Sequence, residues 1–230
     1  MPIDPQEVDL TGLVDMHIHT APDVRPRRLD DIETARQAAD AGLRAAVLKS
    51  HVTCTAYRAV IAQKMVPGVR IFGSVTLNDA VGGLNPFAVE AALELGARVI
   101  WMPTISAQNH IVKHGGTVSG INLLRNQVSD EVQPSLFDIL DLVKQYDAVL
   151  ATGHVSVQEI VAVVRAARGV GVRKTVVTHP EVPWIDMPPS IQEELRDLGA
   201  HFERCYVSSF PVGGEVPLGR IVSDIRQVGV

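Results

Sequence analysis

The feature that most constrains this chain is a repeated alternation of short apolar segments with longer segments of helical periodicity. Each apolar or β-branched segment is followed by a polar loop and then by residues whose apolar side chains recur every three or four positions. Parallel strands need a crossover of about a dozen residues or more, usually a helix, and this spacing supplies one each time. The alternation therefore predicts an α/β fold built on parallel strands.

Two arrangements of parallel strands compete, a closed barrel and an open doubly wound sheet. No G-x-G-x-x-G follows the first strand, so the dinucleotide-binding form of the open sheet is not favoured. We predict a TIM-type (β/α) barrel that forms a single domain over residues 1–230. The predicted strands are 13–17, 45–49, 70–77, 97–102, 148–152, 174–178 and 201–207, and the predicted helices are 30–41, 86–95, 135–146, 157–167, 189–198 and 217–228.

Two features depart from a regular barrel. Residues 103–133, rich in Gly, Ser, Asn and His, are too long for a plain connection, so we expect a lid-like loop that folds over a site. Seven strands are evident, and the sequence ends at Gly229-Val230, where an eighth should begin. We therefore expect the eighth strand to be missing, through truncation or through closure with seven strands. Unpaired edge strands would favour pairing with another chain, so a homo-oligomer is expected.

The composition narrows the class of partner. A formal charge of -5 without any dense Lys/Arg block argues against nucleic acid and against an anionic membrane surface. Cys54 and Cys205 form no C-x-x-C pair, so neither a disulfide framework nor a thiolate metal site is indicated. No secretory leader and no apolar stretch of ~20 residues is evident. We expect a cytoplasmic protein with a small-molecule substrate.

The strongest chemical signal is an H-x-H at the end of the first predicted strand, His17 and His19. Residues two apart on a strand face the same side, so both imidazoles can converge on one point. His154 and His179 close the fifth and sixth predicted strands. Because the carboxyl ends of all strands of a parallel barrel meet at one mouth, these four histidines are predicted to form a shared metal or catalytic centre.

This pattern resembles the amidohydrolase superfamily of metal-dependent hydrolases over essentially the whole chain. In that superfamily H-x-H ends strand one, single histidines end strands five and six, and an aspartate ends strand eight. The segments LKSH, GGLNP, VIWMPT, ATGH and VVTHPE resemble an uncharacterised subgroup of it. The resemblance implies hydrolysis of a C–N or ester bond of a small polar substrate. It also implies the metal ligands His17, His19, His154 and His179, with His179 alternatively holding the attacked oxygen as a catalytic residue.

One divalent ion per chain is expected, with zinc foremost and manganese or iron as alternatives. Many superfamily members carry a metal-bridging lysine at the end of strand four, whereas residues 99–103 here, VIWMP, offer no ligand. Lys49 ends the second predicted strand instead. It is a candidate carboxylated ligand, general base or fixed positive charge, and the alternative is an amine that reaches the barrel rim without a role.

Three further residues are candidates for an additional metal or substrate contact: His51, Arg25 and Asn78. His51 would supply the strand-two ligand of the polymerase-and-histidinol-phosphatase (PHP) family, a second resemblance that implies a phosphoesterase. Arg25 lies in the loop after strand one, where it could pair with a carboxylate or phosphate. The same histidine pattern is also compatible with an amidohydrolase-type decarboxylase and with a non-catalytic, degenerate metal-binding barrel.

Overall fold

The computed structural model describes residues 9–126 and 130–229. Its strands are β1 (Val14–His19), β2 (Ala45–Lys49), β3 (Arg70–Phe72), β4 (Ser74–Thr76), β5 (Val99–Trp101), β6 (Val149–Ala151), β7 (Thr175–Thr178) and β8 (Ala200–Glu203). Its helices are α1 (Asp31–Asp40), α2 (Ala56–Met65), α3 (Pro86–Glu94), α4 (Gln108–Lys113), α5 (Pro134–Gln145), α6 (Val157–Val170), α7 (Pro189–Asp197) and α8 (Leu218–Val228). Short 3₁₀ helices span Asp79–Val81, Tyr206–Ser209 and Pro211–Gly213.

The strands form two parallel sheets, in the orders β1-β2-β3 and β4-β5-β6-β7-β8. Every pairing between neighbouring strands is parallel. The predicted α/β class with parallel strands is therefore confirmed, and the strand order is consistent with a TIM-like barrel. Among the strands that the structure describes, no ladder of backbone hydrogen bonds joins β8 to β1.

The expected count of seven strands is not confirmed, because the third predicted strand is divided at Gly73. β3 pairs with β2 and β4 pairs with β5, so this segment belongs to both sheets. A side chain at Gly73 would lie 2.3 Å from the backbone of Ala56, the first residue of α2. Only glycine permits that close approach. The last predicted strand is also shorter than expected and ends at Glu203.

Side chains from several strands fill the interior with a small apolar cluster, Val47, Val99, Trp101 and Ala151, against which Met16, Phe72, Val149 and Val176 pack. Larger clusters lie between the strands and the surrounding helices. Inward-facing residues at the carboxyl ends of the strands therefore pack against this apolar cluster. Its apolar side chains raise the energetic cost of placing a charge on these residues.

Helix starts follow the sequence signals. Asp30 caps α1 and Ser156 caps α6, each in a reciprocal capping box with a glutamate three residues later. No helix was predicted over the residues of α2. Within residues 103–133, expected to be irregular, the structure places α4, while residues 127–129 of that segment lie outside the described residues.

None of the helices in the described ranges combines the length and the apolar character that crossing a bilayer requires.

Candidate functional site

The site begins with His17 and His19 at the end of β1, whose Nε2 atoms lie 3.2 Å apart. On its other side, His17 Nδ1 lies 2.9 Å from Oε1 of Glu203 at the end of β8. The pairing register of β1 shifts between Asp15 and Ile18, so the alternation of facing along this strand is interrupted. A carboxylate that accepts from one imidazole nitrogen fixes the ring and its tautomer, so the other nitrogen presents a lone pair to a cation or a proton.

His179 follows β7 in a backbone conformation that is uncommon for a residue with a side chain. Its φ is +50°, and its N–H donates to the carbonyl of Glu203 at 3.1 Å. Such strained positions persist where the surrounding structure holds them, and they concentrate at functional sites. The local turn directs the His179 ring to within 5.2 Å of the His17 ring, centroid to centroid.

Two buried ligand atoms here have no hydrogen-bond partner within the described part of the chain: His179 Nδ1 and Glu203 Oε2. One potential ligand atom from each of His17, His179, Glu203 and Cys205 lies within 4.8 Å of the others. Buried polar atoms are nearly always paired, and each exception calls for an explanation such as an ion. Two imidazoles and a carboxylate are suitable ligands for a divalent metal ion, so the donors fit such an ion.

Lys49 ends β2 in a fully buried position, with its Nζ 3.0 Å from His17 Nε2 and 3.7 Å from the centre of the Trp101 ring. Burial lowers the pKa of this amine to about 8, although the nearby Glu203 and Cys205 act in the opposite direction. An amine with a pKa near neutrality can both hold and release a proton. Lys49 is therefore equipped for proton transfer or for pairing with an anion.

Desolvation keeps the histidines of the site neutral. Burial, followed by the charge of Lys49, lowers the pKa of His17 and of His19 well below the usual range. Burial lowers the pKa of His179 to about 3 and, conversely, raises the pKa of the Glu203 carboxyl. Neutral imidazoles are the form that binds metal ions.

His154 follows β6 and is tied to the segment above the strands rather than to His17. Its Nδ1 lies 3.0 Å from Nδ1 of His110 in α4. Asn109, also in α4, donates to the backbone carbonyls of His154 and Trp184 at 3.1 and 2.8 Å. The helix α4 is therefore anchored above this edge of the site. Burial lowers the pKa of His110 to about 4.

Asn78, Thr104 and His51 form a separate hydrogen-bonded group beside these residues, in which the Asn78 amide and the Thr104 hydroxyl are fully paired. Asn78 accepts from the N–H groups of Thr104 and Ser106 and donates to the Thr104 hydroxyl and to the carbonyl of His51. The same hydroxyl lies 2.8 Å from His51 Nδ1. The ring of His51 lies 4.5 Å from that of His19. Asn78 thus positions the other residues of the group.

Two arginines of the loop after β1 lie at the same end of the strands. Arg27 forms an ion pair with Asp23, and its Nη2 is 3.4 Å from His19 Nδ1. The guanidinium of Arg25 is exposed, yet its charge contributes to lowering the pKa of both His51 and His110. An exposed cation therefore lies near these two histidines.

The predicted ligands are brought to one end of the strands but not into one tight group. His17 and His179 belong to the cluster with Glu203 and Cys205. Among the described contacts, His19 meets this cluster at His17. The ring of His154 lies 5.8 Å from that of His179, while its Nδ1 faces His110 in α4. The ligand set itself stays a prediction. Glu203 was not among the residues predicted for the site, although a carboxylate at the last residue of the last strand is the signal that points to it.

These features define an α/β protein of parallel strands with a histidine-rich site at the carboxyl ends of the strands. The sequence model of one family, described as a family of unknown function (DUF6282), matches residues 12–203, and the chain belongs to this family. A comparison with curated proteins finds no match.

Two solved structures similar to this chain are crystal forms of 2,3-dimethylmalate lyase, a PEP mutase/isocitrate lyase superfamily member. The triclinic form is 12% identical in sequence to this chain, with a TM-score of 0.42; the alignment covers 95% of this chain and 81% of the lyase chain. The trigonal form is 13% identical with a TM-score of 0.46, with coverages of 96% and 82%.

The expected membership of the amidohydrolase superfamily was wrong. The family model that matches the chain, over residues 12–203, is that of DUF6282. The prediction of a C–N or ester hydrolase, which depended on that membership, was also wrong. The three alternative predictions are not supported either: the PHP-like phosphoesterase, the amidohydrolase-type decarboxylase and the degenerate metal-binding barrel. Functional residues gather at the carboxyl ends of the strands in many unrelated parallel α/β proteins, so histidines at these positions did not identify a family.

Proposed function

We propose that this chain is a metal-dependent enzyme that binds one divalent ion between His17, His179 and Glu203 and transfers a proton on a small anionic substrate, as lyases do. The observation that supports it is the pair of buried, unpartnered atoms, His179 Nδ1 and Glu203 Oε2, beside His17. Leaving two such atoms unpaired costs about 1–3 kcal/mol each. A cation bound by both would remove that cost.

When bound, a divalent ion would polarise an oxygen atom of the substrate and stabilise the negative charge that develops there. The chain's own residues supply the rest. His17 is oriented by Glu203 Oε1 at 2.9 Å, and the strained turn at His179 directs its ring towards His17. His19 and His154 stay candidate ligands from the sequence.

Lys49 would move the proton. It lies 3.0 Å from His17 Nε2, so a substrate held next to His17 is within reach of its amine. With a pKa lowered to about 8 by burial, the amine exchanges a proton near physiological pH, which is where general acids and bases act best. Removal of a proton next to a polarised oxygen is the step that initiates many carbon–carbon and carbon–oxygen bond cleavages.

An anionic substrate suits the charges around the site. Lys49 and the guanidinium groups of Arg25 and Arg27 are the cations near the histidines, and Arg27 alone of the three has a carboxylate partner in an ion pair among the described contacts. Arginine pairs with carboxylates through two parallel hydrogen bonds, which gives orientation as well as attraction. Small 2-hydroxy and 2-oxo carboxylates are therefore the substrates to test first.

The first experiment measures metal content after the full-length protein is loaded separately with manganese and with zinc. We expect about one ion per chain in the parent and a large loss in His17→Ala, His179→Ala and Glu203→Gln. His201→Ala is the matched control, because His201 is an exposed histidine two residues from Glu203 on β8. Equal metal content in the parent and in the three site variants would contradict the proposed centre.

The second experiment tests proton transfer in deuterium oxide. Malate, pyruvate and oxaloacetate are incubated with the metal-loaded protein, and proton NMR follows bond cleavage and the exchange of carbon-bound hydrogen. We expect turnover of at least one of them that Lys49→Met abolishes while metal content stays near one. Turnover that is unchanged in Lys49→Met would remove the lysine from the mechanism.

A further inference from the structure

The hydrogen bonds around Asn78 fix the orientation of its amide without ambiguity. Its Oδ1 faces the backbone N–H groups of Thr104 and Ser106 at 2.7 and 3.2 Å, and both can only donate. Its Nδ2 lies 2.9 Å from the backbone carbonyl of His51, which can only accept. The side chain is buried, so no other rotation about its last bond would satisfy these three backbone groups.

This orientation determines the direction of the next hydrogen bond. The second hydrogen on Asn78 Nδ2 points to the Thr104 hydroxyl at 2.8 Å, so the hydroxyl oxygen accepts there. Thr104 is fully buried, and its remaining side-chain contact among the described residues is His51 Nδ1 at 2.8 Å. If His51 Nδ1 carried a proton, the hydroxyl hydrogen would have no acceptor in a dry environment, at a cost of about 1–3 kcal/mol. The Thr104 hydroxyl therefore donates to His51 Nδ1.

A neutral imidazole carries one proton, so an accepting Nδ1 requires a protonated Nε2. The ring of His51 lies against those of His19 and His154, with centroid distances of 4.5 and 6.2 Å. Within the described part of the chain Nε2 makes no hydrogen bond, and the residue keeps 9% of its surface exposed. The N–H is thus available to a molecule bound among the histidines.

We propose that His51 is held as the Nε2–H tautomer and donates a hydrogen bond to an oxygen of the bound substrate, and that it is not a metal ligand. The identity of the acceptor rests on the proposed function, whereas the tautomer rests on the Asn78 and Thr104 contacts alone. A metal ligand needs a lone pair directed at the ion, and this chain of hydrogen bonds places a proton there instead.

A neutral imidazole N–H is a suitable donor to an oxygen that gains negative charge. It is fixed before the substrate arrives, because Asn78 anchors it to three backbone groups, and pre-oriented donors in a dry site stabilise developing charge most effectively. The same arrangement sets a specificity. The N–H at this position favours a substrate with a carbonyl or carboxylate oxygen there, and it disfavours an ammonium group or a hydroxyl that would have to donate.

Nitrogen-15 NMR of the full-length protein, labelled at its histidines, tests this inference. The His51 signals are assigned by their loss in His51→Gln. We expect Nε2 of His51 to carry the proton both in metal-free protein and after zinc loading, and we expect His51→Gln to bind as much zinc as the parent. Protonation at Nδ1, or loss of the Nε2 proton on addition of zinc, would overturn the assignment.

Asn78→Asp provides a matched reversal of the same network. The new carboxylate accepts from Thr104 instead of donating to it, so the hydroxyl must accept from His51 Nδ1, and the proton moves from Nε2 to Nδ1. Thr104→Ser keeps the hydroxyl and is expected to keep the parent tautomer. A parent tautomer that persists in folded Asn78→Asp would contradict the relay. If that variant does not fold, the spectra of the parent and of Thr104→Ser still decide the question.

The donor role has its own readout. Acetate, as a minimal carboxylate, is titrated into the zinc-loaded protein, and we expect the His51 Nε2 proton to move to lower field. An unmoved proton at saturating acetate overturns the contact with substrate. A protein that binds neither zinc nor manganese yet shows the Nε2–H tautomer would refute the proposed function and leave the tautomer intact, so the two failures are distinguishable.

Discussion

Two groups of residues in the candidate site, Asn78 with Thr104 and His51, and His179 with Glu203, differ in how completely their polar atoms are paired. Around Asn78, Thr104 and His51, the amide and the hydroxyl have partners within 3.2 Å. Around His179 and Glu203, by contrast, two buried ligand atoms have none in the described structure. Both sides lie at the carboxyl ends of parallel strands and both are shielded from water.

This difference in pairing separates residues that stabilise the structure of the site from residues whose unpaired atoms are available to bind a ligand. A completed network stabilises the folded chain and loses stability when any member is removed. An incomplete one costs stability until another molecule completes it, so its members should affect binding more than folding. Substitutions on the two sides should therefore have opposite consequences for binding and for folding.

The largest effect on metal binding is expected from His179, on the side with unpaired atoms. His179→Ala should weaken binding of a divalent metal by about 100-fold or more, since loss of residues that only orient ligands already costs 10–100-fold. Competition with a chelator of known affinity measures it, and His201→Ala is the control on β8. The comparison fails if His179→Ala lowers the free energy of unfolding of the metal-free protein as much as Asn78→Ala does.

At the paired side, the expected effect is on folding. Asn78→Ala removes four hydrogen bonds of a buried amide and leaves the N–H groups of Thr104 and Ser106 without an acceptor. We expect a loss of about 3 kcal/mol in the free energy of unfolding, measured in urea. A loss below about 1 kcal/mol would show that water or a rearranged loop replaces the network.

Acid should destabilise the metal-free protein through its buried histidines. Burial lowers the pKa of His51 to about 3 in the folded state, below the usual 6.5. Between these values the unfolded chain takes up a proton that the folded chain does not, so stability is full above pH 6.5 and falls as the pH drops towards 3. Each such histidine contributes ~1.4 kcal/mol per pH unit in that window.

Urea unfolding of the parent and of His51→Gln between pH 4 and 8 isolates this contribution. The variant should show a shallower fall in stability below pH 6.5, and His201→Gln, altered at an exposed position, should follow the parent. Parallel curves for the parent and His51→Gln would mean that His51 takes up its proton in the folded state.

The smallest effect distinguishes the hydroxyl of Thr104 from its methyl group. Thr104→Val leaves Asn78 Nδ2 and His51 Nδ1 without this partner, whereas Thr104→Ser keeps the hydroxyl and loses only a buried methyl. We expect the valine variant to be about 1 kcal/mol less stable than the serine variant in urea unfolding. The reverse order would argue that packing outweighs the hydrogen bonds at this position.

Much of the fold could be predicted from the sequence, because the spacing of apolar residues indicates which face of a helix or strand is buried. The helices that became α1, α3, α5, α6, α7 and α8 were located to within a few residues. α2 was not named, and α4 was hidden in a polar segment because a six-residue helix shows too little periodicity to detect. The division of the third strand at Gly73 depends on contact with Ala56, 17 positions away in the chain, which no local pattern contains.

The candidate site was predicted in its residue types and only partly in its grouping. The histidines of the cluster were found because they end apolar segments. Their connections were not, because a contact such as His17 with Glu203 joins residues 186 positions apart. The family assignment failed for a related reason, since many families with this architecture place functional residues at the ends of the strands.

By itself, the sequence determined the class of fold and the end of the strands at which polar residues gather, since the alternation of apolar runs and helical segments leaves few other ways to bury the chain. The tertiary structure decided which of those residues are paired and which are left with unsatisfied atoms. A hydrogen bond requires a donor–acceptor distance that is correct to within a few tenths of an ångström. Where the two atoms are far apart in the chain, only the packed molecule sets that distance.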